Sequence, residues 1–179
     1  MKTIAIHGVN DEILNLDLSE FDILTFDDGL YTQYKHYKHF LKFNKPMYFF
    51  ISTALVSFKE QSDEYVTSTH AHEDWRGNVS LKYFMSWKQI KEIDSNELCH
   101  IGGHGCYHFD LRDATLEKQA RISRNEVICM LNDFHDHDIT IDSFCFPYNH
   151  EALGYKTYLQ NNGICKFFGS ERTMIEDLL

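Results

Sequence analysis

Short continuous apolar runs alternate along this chain with amphipathic stretches, and the two periods differ. Runs at 2–7, 22–26, 47–52, 98–101, 143–146 and 164–168 have strand length and are rich in β-branched and aromatic residues. Between them, 30–43 reads as a helix with Tyr34, Tyr37 and Leu41 on one face and Lys35, Lys38 and Lys42 mostly on another. Ser86 with Gln89 three residues later opens a second helix to about Asp94. Thr115 caps a long third one to about Phe134, with Leu116, Ala120, Val127, Leu131 and Phe134 as its buried stripe. A fourth helix, 151–162, stops at Gly163, and a short last one covers 172–179. Pro46 follows the end of the first helix, and Pro147 stops the strand at 143–146. Residues 57–83 read as a long irregular polar connection.

Strands that alternate with helices, without repeats or flexible linkers, predict an α/β chain of βα units with a largely parallel sheet. All 179 residues read as a single domain. In such folds ligands gather at the carboxyl ends of the strands. Three unusual stretches sit at those ends, at 27–29, 102–108 and 147–150, so one rim is expected to carry them all.

Composition narrows the function. The formal charge is −10 and no Lys/Arg cluster offsets it, which argues against a nucleic-acid partner. No apolar run reaches the length of a membrane span, and no signal-peptide core is visible at the start. Five cysteines without close pairing read as reduced thiols, so a cytoplasmic protein is the expectation. Oligomeric state is not legible. Of the eleven histidines, His36 and His39 read as part of a solvated helix face, and His70 and His72 as part of a surface loop.

The candidate chemistry begins at Thr25-Phe26-Asp27-Asp28-Gly29. Adjacent residues at a strand end point in different directions. One carboxylate can therefore hold a cation while the other reaches towards a substrate or water. His104 and His108, four apart and flanked by glycines, can present two imidazoles to the same ion. Two histidines and one aspartate leave coordination positions open, as a catalytic metal requires. Cys106 between them reads as a packing residue.

The stretches Thr25-Phe26-Asp27-Asp28-Gly29, His104-Gly105-Cys106-Tyr107-His108 and Phe144-Cys145-Phe146-Pro147-Tyr148 resemble the first three motifs of the polysaccharide deacetylase family, the NodB homology domain of carbohydrate esterase family 4. The resemblance spans about residues 20–168. It implies a distorted, incomplete (β/α) barrel and a divalent metal, most often Zn2+, that removes acetyl groups from N-acetylated sugars. It further implies Asp28, His104 and His108 as metal ligands, Asp27 as general base and the backbone N–H of Tyr148 as an oxyanion donor. Pro147, His72 and Trp75 are the candidate substrate-binding residues. Cys145 stands where many members place the arginine that positions the base. The late motifs, including the usual histidine acid, are not visible after residue 150. The candidates for the proton donor are therefore His150, then His72, with Asp27 itself as a further route.

The expected substrate is an N-acetylated sugar, such as a precursor of a surface polysaccharide. Two other readings are a deacetylase-like carbohydrate-binding protein without turnover, and a non-haem iron oxygenase with the same ligand types.

Overall fold

The computed structural model describes residues 1–59 and 61–179. Seven strands form one sheet: β1 (Thr3–Ile6), β2 (Ile23–Phe26), β3 (Met47–Ile51), β4 (Cys99–Gly103), β5 (Ser143–Cys145), β6 (Lys166–Phe168) and β7 (Thr173–Met174). Their order is β6-β5-β4-β3-β2-β1-β7 and every pairing is parallel. The helices are α1 (Asp11–Leu14), α2 (Tyr31–Phe40), α3 (Ser68–Asn78), α4 (Trp87–Asp94), α5 (Leu116–Asp136) and α6 (Tyr155–Gln160).

The order explains the curvature. β6 and β7 are the two edges of the sheet, yet only five residue steps separate Phe168 from Thr173. Seven strands laid flat at about 4.8 Å spacing put their edges roughly 29 Å apart. Five residues reach at most about 18 Å. The sheet therefore curls into an incomplete (β/α) barrel, the architecture expected from the sequence.

Strand alternation then sorts the core. On β2, β3 and β5, Leu24, Phe26, Phe49 and Phe144 face the helices and join Tyr37, Phe40, Ile90, Val127 and Met130. Ile23, Tyr48, Phe50, Cys145 and Phe168 fill the inner face. Thr25 and Asp27 share the parity of Ile23, so the first aspartate of the pair is aimed into the barrel.

Four local expectations need correction. The end of the chain is not a helix from 172: Thr173 and Met174 pair with Ile4 and Ala5, and only Ile175–Leu178 forms a 3-10 turn. Residues 57–83 are not irregular throughout, because Thr67 caps α3. That helix has no apolar stripe to announce it, and the residues it buries are Ala71 and His72. Along α5 the buried stripe is Gln119, Ser123, Glu126, Val127, Met130 and Phe134, while Leu116 is exposed. The helix lies over the loop that follows β4, so several polar positions turn inward. Finally, Cys106 and Cys129 lie side by side, with Cα atoms 5.9 Å apart, where the sequence showed five cysteines without close pairing. Packing of that loop on α5 brings together positions 23 residues apart.

Gly102 leaves no room for a side chain between β3 and β5. A Cβ there would stand 2.6 Å from the Phe50 ring and from Ser143 Oγ. Gly102→Ala is expected to lower folding stability by about 1–3 kcal/mol, as overpacking of a filled core does, measured by chemical denaturation of the metal-free protein.

Candidate active site

The rim at the carboxyl ends of β1, β2, β4 and β5 opens into a cavity of about 420 Å3. His7, Asp27, Asp28, His104, His108, Tyr148 and Glu176 contribute to its lining. Asp28 (φ 75), His108 (φ 55) and Tyr148 (φ 56) all adopt left-handed backbone conformations. Each such residue costs of order 1 kcal/mol or more and persists only where its surroundings enforce it. All three motif stretches therefore hold a strained residue at the rim.

Asp28 is the centre of one cluster. Its Oδ1 lies 3.4 Å from His104 Nε2, 3.3 Å from His108 Nε2 and 3.3 Å from His72 Nε2. The two motif imidazoles approach to 3.2 Å, Nε2 to Nε2. Ser68 donates to Asp28 Oδ2 at 2.5 Å, from the first turn of α3. His104 Nδ1 meets the carbonyl of Cys145 at 2.8 Å. A carbonyl only accepts, so Nδ1 carries a hydrogen and Nε2 is the nitrogen on the Asp28 side. Burial, with His104 and His72 close by, opposes charge on His108 more than Asp28 favours it, and holds the imidazole well below its usual range. Burial pushes Asp28 up, but His72, His108 and His104 outweigh it and keep the carboxyl ionised, well below its ordinary value.

These residues fit a divalent cation. Asp28 Oδ1 is buried and has no hydrogen-bond partner among the described residues. Ligand atoms about 2.0–2.1 Å from a tetrahedral ion are about 3.3–3.4 Å apart, close to the separations in the Asp28, His104 and His108 group.

Asp27 has a different partner. Arg172 grips it with two parallel bonds, Nη1 to Oδ1 at 2.7 Å and Nη2 to Oδ2 at 2.8 Å. The guanidinium also donates to Thr25 Oγ1, Asn149 Oδ1 and the Gly169 carbonyl, and it approaches Cys145 Sγ to 3.0 Å. Burial would raise the Asp27 pKa, but Arg172 outweighs it and holds the group at about 2. Arg172 thus engages the aspartate from the link between β6 and β7, at a site where the sequence offers only Cys145.

His7 directly follows β1 and lies 3.5 Å from Glu176 Oε1 through Nδ1. Burial works against its charge, yet Glu176, Asp28 and Asp27 together raise its pKa to about 9. Tyr148 forms a wall: its ring lies 4.8 Å from His108 and 4.7 Å from the Arg112 guanidinium, and Arg76 donates to its hydroxyl at 3.0 Å.

The other sequence candidates sit elsewhere. His72 is buried against Asp28 and stacked on His108 at 4.4 Å, so it meets the aspartate and not the cavity. Trp75 packs on the small cluster of Leu30, Leu55, Ala71, Tyr83 and Phe84. Pro147 is buried at the start of a 3-10 turn, and His150 follows that turn. Neither His72, Trp75, Pro147 nor His150 lines the cavity.

Comparisons with known proteins agree with this arrangement at the level of fold. No protein-family model matches the chain, and no curated protein does. Among solved structures, it is similar to IcaB from Ammonifex degensii, with 16% identity, 97% of this chain and 91% of that one covered, and a TM-score of 0.64. It is similar also to the BpsB deacetylase domain from Bordetella bronchiseptica (16% identity, 85% and 70% covered, TM-score 0.59). A de-N-acetylase from Aggregatibacter actinomycetemcomitans matches at 11% identity over 97% and 92% of the two chains, with a TM-score of 0.57. The chain has the fold of these deacetylases.

His7 and Arg172 escaped the sequence reading for different reasons. His7 obeys the rule that selected Asp27 and Asp28, a polar residue at the carboxyl end of an apolar strand, so it was open to detection. Arg172 has no local signature. Only the need of a buried carboxylate for a partner points to it.

Removing Arg172 leaves that carboxylate buried and alone. Arg172→Met is expected to cost about 3–5 kcal/mol of stability near neutral pH. The Asp27 pKa is depressed by folding, so its contribution is present above about pH 4 and lost as the pH falls towards about 2. Denaturation of the metal-free protein across that range checks both points: the variant should lose this part of the acid dependence.

Proposed function

We propose that this chain is a metal-dependent carbohydrate deacetylase that releases acetate from an N-acetylated sugar, such as a precursor of a surface polysaccharide. The observation that carries the reading is the pairing of two carboxylates with separate partners on one rim. Asp28 joins His104 and His108 at metal-ligand separations, while Asp27 is held beside them by Arg172. The fold shared with solved deacetylases supports it.

Asp28, His104 and His108 would hold the ion, and the donor set of one carboxylate and two imidazoles suits Zn2+. Such an ion, when bound, supplies a Lewis acid and a water of lowered pKa. Asp27, fixed by Arg172, orients the attacking water and receives its proton. A base held near 2 is weak against ordinary water, and its task becomes practical only for a water already made acidic. The backbone N–H of Tyr148 faces the developing oxyanion, where one strong donor lowers a barrier by about 3–4 kcal/mol. His7, kept protonated by Glu176, gives its proton to the departing amine. That assigns the acid role to His7 in preference to His150 or His72.

A sugar-binding protein without turnover would fit a chain lacking the arginine and the late motifs; Arg172 makes the arginine's contact with Asp27, and His7 stands as the acid that those motifs would supply. An oxygenase of the facial type usually sits on an antiparallel barrel, whereas every strand here is parallel.

Acetate release from chitooligosaccharides and from nucleotide-linked N-acetyl sugars, with Zn2+ or Co2+ present, tests the proposal. Asp28→Ala is expected to lose metal and activity together. Asp27→Asn should keep the metal and lose at least about 100-fold in kcat. Unchanged kcat in Asp27→Asn would refute the assigned base. His7→Gln is expected to lower kcat by about 10²–10⁴-fold, the usual worth of a positioned acid, with metal content unchanged.

A further inference from the structure

Glu126, on the inward face of α5, is a buried carboxylate that the mechanism above does not use. It is 2% exposed, and no cationic side chain lies within salt-bridge distance among the described residues. Its partners are backbone N–H groups of the segment between the two motif histidines. Cys106 donates to Oε2 at 3.0 Å, and Tyr107 donates to Oε2 at 3.0 Å and to Oε1 at 3.2 Å. Gly105 (φ 80) and His108 (φ 55) bend the segment so that these donors converge. A Cβ on Gly105 would stand 2.7 Å from Oε2, so the glycine and the carboxylate require each other. An anion received by successive backbone N–H groups is an ordinary way to fix a loop. Burying one without a cation is costly: burial pushes the Glu126 carboxyl up to about 7 although the backbone donors favour its ionised form, so the residue is a carboxylate above that pH.

We propose that Glu126 is a positioning residue of the metal site: it fixes the His104–His108 segment and supplies the negative charge that a dication there requires. This rests on the metal-site reading. Of the ligand atoms, only Asp28 brings a charge, because His104 and His108 bind as neutral imidazoles. The charge of Asp27 is already matched by Arg172. A divalent ion on that set is left with one uncompensated positive charge, and Glu126 is the carboxylate seated on the same loop. The two effects act together. The carboxylate sets the spacing of the imidazoles before an ion arrives and stabilises it electrostatically afterwards.

The test is Zn2+ affinity, measured by competition with a chromophoric chelator at pH 8, on wild type, Glu126→Gln and Glu126→Asp. Glu126→Gln keeps the volume and removes the charge. It is expected to bind Zn2+ about 10–100-fold more weakly, the usual effect of losing a group that supports metal ligands. Glu126→Asp is the sterically poorer change but keeps the charge, so it should bind more tightly than Glu126→Gln, an order that packing alone would reverse. Affinity of Glu126→Gln within threefold of wild type overturns the proposal, as does Glu126→Asp binding no better than Glu126→Gln. If Glu126→Gln does not fold, Glu126→Asp is compared with Ser123→Ala, a change at another buried residue of α5 that makes no hydrogen bond to the loop among the described residues. Weaker binding in the aspartate variant alone supports the inference, and equal binding overturns it. If the wild type binds no Zn2+, the metal-site reading itself fails, a result distinct from either.

Discussion

The ion pair between Asp27 and Arg172 is where fold and site depend on each other. Neither charge is tolerable inside the barrel without the other, and both bonds are short and bidentate. Their meeting requires the chain to return after β6 and lay β7 beside β1. That return is also what curls the sheet. A flat sheet would leave Asp27 without a cation and the rim without a concave face, so closure of the barrel and readiness of the carboxylate are one event.

The two adjacent aspartates show how environment divides identical side chains. Strand parity sends Asp27 inward, to a guanidinium. The turn at Asp28, with its positive φ, sends the next carboxylate to three imidazoles and the Ser68 hydroxyl. Both stay ionised although burial opposes it. One is held by a permanent cation, and the other by the Ser68 hydroxyl and a ring of imidazoles gathered 3.3–3.4 Å from Oδ1. The first arrangement is complete without any added group. The second has the composition of a cation site.

Much of this was legible in the sequence, and the parts that were not have physical reasons. The apolar runs at 22–26 and 47–52 are buried on both faces, which makes a parallel strand easy to read. The aspartate pair and the His104/His108 pair stand at strand ends, where a local rule applies. α3 was missed because it has no apolar stripe, and Ser68 was missed with it, while His72 was named as a candidate but placed on a surface loop. The meeting of Cys106 with Cys129 and the role of Glu126 depend on how α5 lies over the loop after β4, which no local pattern carries. Arg172 was hidden for the same reason: its meaning comes from a residue 145 positions away.

Anomalous diffraction at the zinc edge, from crystals grown with Zn2+, tests the central claim most directly. One strong peak is expected in the cavity, bonded to Asp28, His104 and His108, with Asp27 still bound to Arg172 by both oxygens. An ion held by Asp27 in place of Asp28, or a cavity without zinc while the metal sits elsewhere, would contradict the division of roles on which the account stands.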